Sequence, residues 1–60
     1  MISQWDKDHF GDIIAGQGDW FTAHLIRLFH KADRTNFAKL LEAYPEVGLS
    51  YIKWQKGLHP

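Results

Sequence analysis

The side chains that could carry chemistry are few. There are four histidines, His9, His24, His30 and His59, and no cysteine. His9 alone has carboxylates at helical spacing, with Asp6 at i−3 and Asp12 at i+3 on the same face. A carboxylate–histidine pair of that kind is the unit of helical-bundle metal sites, but such sites need several pairs on facing helices. One pair reads as a solvated polar face, so neither a metal nor a cofactor is expected. His24 and His30 lie six residues apart and point to different sides of one helix. His24 joins a polar flank with Arg27, and His30 suits the negative end of the helix dipole. A histidine titrates near neutral pH anywhere, and no feature singles one of these out as a sensor.

Nucleophilic catalysis is hard to build from these residues. The only serines are Ser3 and Ser50, and neither sits in a glycine-flanked elbow. Gly16-Gln17-Gly18 precedes a helix but lacks the strand, the third glycine and the lysine of a phosphate-binding loop, so it reads as an interhelical turn. Sixty residues leave little room for a pocket that excludes water. No enzyme is expected.

Binding is the better lead. Nine of the sixty residues are aromatic, many for so small a core, and Trp5, Trp20, Tyr51 and Trp54 fall near element ends or off the central apolar stripes. Tryptophan and tyrosine are enriched at binding hot spots; the plainer role for these four is to cap the ends of the core. Net charge is zero and pI about 6.9, which argues against a dedicated non-specific nucleic-acid binder. The charge is nonetheless polarised. Residues 1–23 carry a net −3, and residues 24–39 a net +3 from Arg27, Lys31, Arg34 and Lys39 against Asp33. That asymmetry fits either an acidic first helix docked on the others or a basic surface for an acidic partner.

The elements that position these groups are helical. Trp20–Phe29 is the densest apolar stretch, and Phe21, Leu25, Leu28 and Phe29 fall on one stripe. The spacing predicts helices over about Gln4–Ala15, Trp20–Lys31, Arg34–Ala43 and Pro45–Lys56. Their boundary signals are a Ser3/Asp6 capping pair, Gly16 as a C-terminal cap, Asp19 and Asp33 as N-caps, and Pro45 at a first helical position. Gly11 and Gly48 weaken their helices, and residues after Gly57 read as a short tail. The expected fold is an all-α single domain, a small bundle of three or four short helices. Its core would comprise Phe10, Ile13, Ile14, Phe21, Leu25, Leu28, Phe29, Phe37, Leu40, Leu41, Val47 and Tyr51. No run approaches the roughly 20 apolar residues of a membrane span, and the N-terminus has no signal-peptide pattern. A cytoplasmic setting is the expectation.

Residues 18–47 carry an Asp19-Trp20-Phe21 opening, a Leu25-Ile26-Arg27-Leu28 helix, a Lys31-Ala32-Asp33 turn and a Tyr44-Pro45-Glu46 break. This pattern resembles small uncharacterised proteins encoded by bacteriophages, especially those infecting actinobacteria. The resemblance implies a phage accessory protein that binds another protein, and it brings no site residues with it. The expected function is therefore a protein-interaction module with Trp20, Arg27, Lys31, Arg34 and Trp54 as contacts. The competing expectation is a helix-turn-helix-like nucleic-acid binder using Arg27, Lys31, Arg34, Asn36 and Lys39, with the third helix as the reader. A homo-oligomer is a third.

Overall fold

The computed structural model describes residues 2–57; His59 and the predicted tail beyond Gly57 lie outside them. The described chain is all-α, with five helices and no strand: α1 (Gln4–Asp8), α2 (Phe10–Ile14), α3 (Phe21–Lys31), α4 (Arg34–Ala43) and α5 (Pro45–Gln55).

The count is five because the expected first helix breaks at His9, whose backbone leaves the helical region at φ −120° and ψ 23°. The His9 ring supplies the reason. Its Nδ1–H donates to the Trp5 carbonyl at 2.7 Å, a local competitor for the acceptor a continuing helix would use. The ring also stacks on Trp5 with centroids 3.8 Å apart. Ahead of the break, the Ser3/Asp6 capping box forms with both reciprocal bonds.

The Gly16 expectation holds in detail. Gly16 adopts φ +121°. Its N–H donates to Ile13 O at 3.0 Å, and the Gln17 N–H donates to Asp12 O at 3.0 Å. These are the two bonds of a Schellman motif, which needs a left-handed residue between them. Asp33 caps α4 as expected, accepting the Asn36 N–H at 2.8 Å. Asp19 does not cap α3. The N-cap is Trp20, one residue later, with no side-chain cap bond, and the Asp19 carboxylate turns instead to His24.

Helix α3 is the centre of the molecule. It packs on α2 and on α5, while α4 leans on α5 and makes little backbone contact with α3. The core is Phe10, Ile13, Ala23, Leu25, Ile26, Phe29, Val47 and Tyr51, with Phe37, Leu40 and Leu41 half-buried around it. The expected core placed Phe21 and Leu28 inside, and both are exposed. On α3 the buried set is Thr22, Ala23, Leu25, Ile26 and Phe29, about a quarter-turn from the stripe picked by bulk. Small residues let helix backbones come close, and the covered side of α3 holds two of them, Thr22 and Ala23. The same holds for α5. A Cβ on buried Gly48 would collide with Leu41 Cδ1 and lie 3.0 Å from Phe29 Cε1. Gly48 therefore lowers helix propensity but permits the α5 crossing.

Tyr51 joins three elements. Its ring, 3% exposed, lies near those of Phe29, Phe37 and Trp54 at centroid distances of 6.3, 6.0 and 6.0 Å. Its hydroxyl hydrogen-bonds with His30 Nδ1 at 3.0 Å. Burial pushes the phenol above its ordinary pKa of 10.0, because the charged form would lose hydration. With the folded value raised, Tyr51's contribution to stability is fully present below the unfolded value and is lost as pH rises through the folded one. The urea midpoint should accordingly fall as pH rises above the ordinary tyrosine value of 10.0, and Tyr51→Phe should flatten the fall. An equally steep decline in Tyr51→Phe would assign it to other groups.

Candidate functional site

The five residues expected to contact a partner fall into different environments. Trp20 and Arg27 are tied into the fold. The Trp20 indole N–H donates to Asp6 Oδ1 at 3.1 Å, bridging α1 to the start of α3. Its ring covers Gly18, where a Cβ would lie 2.8 Å from Trp20 Cη2, and Gly18 itself has φ +101°. Asp6, 5% exposed, takes this bond and the Ser3 N–H at 3.3 Å, so both carboxylate oxygens are engaged within the fold. Trp5 meets Trp20 edge-on, with centroids 5.6 Å apart.

Arg27 holds the α2–α3 connection. Its Nη1 donates to Ile13 O at 2.8 Å and Gln17 O at 2.9 Å, and its Nη2 donates to Gly18 O at 2.7 Å. The guanidinium fork suits three carbonyls that converge at the end of a helix. Nη2 also approaches His24 Nδ1 at 3.3 Å, and the partner ring nitrogen lies 2.9 Å from Asp19 Oδ1. An arginine donates only, so Nδ1 accepts and Nε2–H donates to Asp19. Those two contacts fix the tautomer of neutral His24. Trp54 is half-buried, edge-to-face on Phe10 with centroids 6.0 Å apart, and seals α5 onto α2.

The two remaining cations line different depressions that meet at Ala32 and Asp33. Lys31 lines a groove with Leu28, Ala32, Asp33, Asn36, Lys39 and Leu40. Arg34 lines a shallower depression with Phe37, Ala38, Leu41 and Gln55. The basic set of residues 24–39 is thus divided, with Arg27 turned inward, Lys31 and Lys39 on one groove, and Arg34 beyond it.

Of the five expected contacts, Lys31 alone lies on the α3–α4 groove. The groove has a volume of about 550 Å³. Leu28 is 46% exposed, and Phe21, two turns earlier on the same stripe, is 60% exposed. The Phe21 ring meets that of half-buried Tyr44 at 5.9 Å, so α3 and α4 touch at this end. Beneath, Phe29 packs edge-to-face on Phe37 at 5.2 Å. Helix α4 has no fully buried residue, and its half-buried Leu40, packed against the core, also lines the groove. The signal in the sequence was present but ambiguous: Phe21 and Leu28 were legible as apolar and helical, not as uncovered.

Among the described residues, no three histidine, aspartate or glutamate side chains gather as a metal ion would need. No helix of the described residues is long and apolar enough to cross a membrane. No protein family, curated protein or solved structure matches the chain.

Proposed function

We propose that this protein is a non-enzymatic, cytoplasmic protein-interaction module that docks a partner protein on the α3–α4 face. The observation carrying this reading is Leu28, a large apolar side chain left 46% exposed on the groove beside Ala32 and Leu40, with exposed Phe21 two turns earlier on α3. Exposed apolar groups that adjoin one another mark interaction surfaces more than scattered ones do. The cations favour protein over nucleic acid: Arg27 is bonded to backbone carbonyls and Arg34 lines a separate depression, which leaves Lys31 and Lys39 of the basic set on the groove to meet phosphates. The resemblance of residues 18–47 to small phage proteins suits an accessory role of this kind, acting on a host or phage protein.

The test is a photo-crosslinking residue in place of Leu28 in the full chain, incubated with actinobacterial lysate with and without nuclease. A discrete protein adduct that survives nuclease is expected, and the same residue in place of Gln4 on α1 should give none. Unlabelled parent protein should compete, whereas Leu28→Asp, with an unchanged thermal melt, should compete about tenfold less well. An adduct lost to nuclease would replace this reading with nucleic-acid binding.

A further inference from the structure

We infer that the α3–α4 groove takes an amphipathic α-helix whose apolar edge is flanked by carboxylates, an inference that rests on the protein-binding reading above. Three observations support this occupant. First, α3 and α4 both pack on α5 with little backbone contact between them, meeting each other through the ring pairs Phe29–Phe37 and Phe21–Tyr44. A helix laid along the groove would meet apolar side chains of both, as a bundle member does. Second, the groove's apolar lining comes from both helices and the turn that joins them, Leu28 of α3, Ala32 of the turn and Leu40 of α4. An amphipathic helix entering a groove sets its own i, i+4 and i+7 side chains against a lining of this kind. Third, Lys31 at the end of α3 and Lys39 on α4 reach the groove from its two walls. Asp33 is the one carboxylate among the lining residues, and its Oδ1 is bonded to the Asn36 N–H. The cations over an apolar floor therefore call for carboxylates on the incoming helix, a complementarity that sets specificity and on-rate.

The floor argues in the same direction. Leu28, Ala32 and Leu40 offer no aromatic ring to a nucleobase, whereas single-stranded nucleic acid is held by aromatic stacking platforms. A partner helix needs only the aliphatic surface these side chains provide.

The probes are two helix-stabilised peptides of about 15 residues, each with leucines at i, i+4 and i+7. One carries glutamates beside the leucines, and the other lysines at the same positions. Each is titrated into the full chain while the methyl resonances of Leu28, Ala32 and Leu40 are followed. Saturable shifts at those methyls are expected, with the glutamate peptide bound about tenfold more tightly at low salt and the gap narrowing as salt rises. The protein carrying Lys31→Glu and Lys39→Glu should reverse the preference. Both lysines are exposed, so the fold should survive, which circular dichroism checks.

Equal binding of the two peptides would overturn the inference. So would the same methyls shifting with protein concentration and no peptide present, since the occupant would then be a second copy of this chain. If neither peptide binds while the Leu28 crosslink still traps a protein, the helical occupant is wrong and the binding module stands. If both fail, both readings fall.

Discussion

Phe29→Ala should remove about half or more of the protein's stability. Phe29 is 1% exposed and is the side chain on which three helices converge. From α3 it packs edge-to-face on Phe37 of α4 at 5.2 Å, stacks near Tyr51 of α5 at 6.3 Å, and lies against Gly48 where α5 crosses. Truncating a buried phenylalanine costs about 3–5 kcal/mol through lost transfer energy and the cavity left behind. A chain of sixty residues has only about 3–9 kcal/mol in total. The site has few means of collapsing onto the cavity, because Phe37 and Tyr51 are held by each other as well as by Phe29. Urea unfolding followed by helical circular dichroism is the measurement. Phe21→Ala is the comparison: at 60% exposure it should shift stability by at most about 1 kcal/mol. Equal destabilisation by the two substitutions would contradict the assignment of the buried face of α3.

Arg27→Met should cost about 2–3 kcal/mol while leaving the helical content of the remaining folded protein unchanged. Methionine keeps much of the aliphatic stem but removes the donors to Ile13 O, Gln17 O and Gly18 O. Hydrogen bonds from a charged donor are worth about 1.5–3 kcal/mol each where water is excluded. The bond to Gln17 O is exposed, so water can replace it, and only the two part-buried bonds count heavily. Arg27→Lys should recover less than half, because an ammonium cannot span carbonyls set in a fork. A residue serving only as a surface contact for a partner would leave the urea midpoint where it was. That outcome would return Arg27 to the docking face.

What could be read before the fold was known was local. The Ser3/Asp6 box, the Gly16 termination, the Asp33 cap and the Pro45 start each depend on residues within one turn of one another, and each forms. One local signal fails, since Asp19 turns to His24 instead of capping α3; the misplacements of Trp20 and Arg27 are non-local. Trp20 meets Asp6, and Arg27 meets Ile13, each across fourteen residues, distances at which spacing carries no information. The buried face of α3 turns on where α2 and α5 come close, and close approach favours Thr22 and Ala23 over the bulkier Phe21 and Leu28. The break at His9 is a failure of another kind. Its ring captures a backbone carbonyl, and helical periodicity is blind to that competition. The candidate groove was hidden along with the buried face of α3: its apolar side chains had been assigned to the core.

Helix α4 has no fully buried residue and makes most of its backbone contact with α5, meeting α3 through Phe37 on Phe29 and Tyr44 on Phe21. Its backbone amides are therefore protected by little more than its own hydrogen bonds and the seam with α5. Such a segment opens as a separate cooperative unit, at a free energy below that of global unfolding. Detachment of α4 would expose Gly48 and Phe29 while leaving α2, α3 and α5 assembled. Because α4 forms one wall of the α3–α4 groove, any such opening would change the width of that groove.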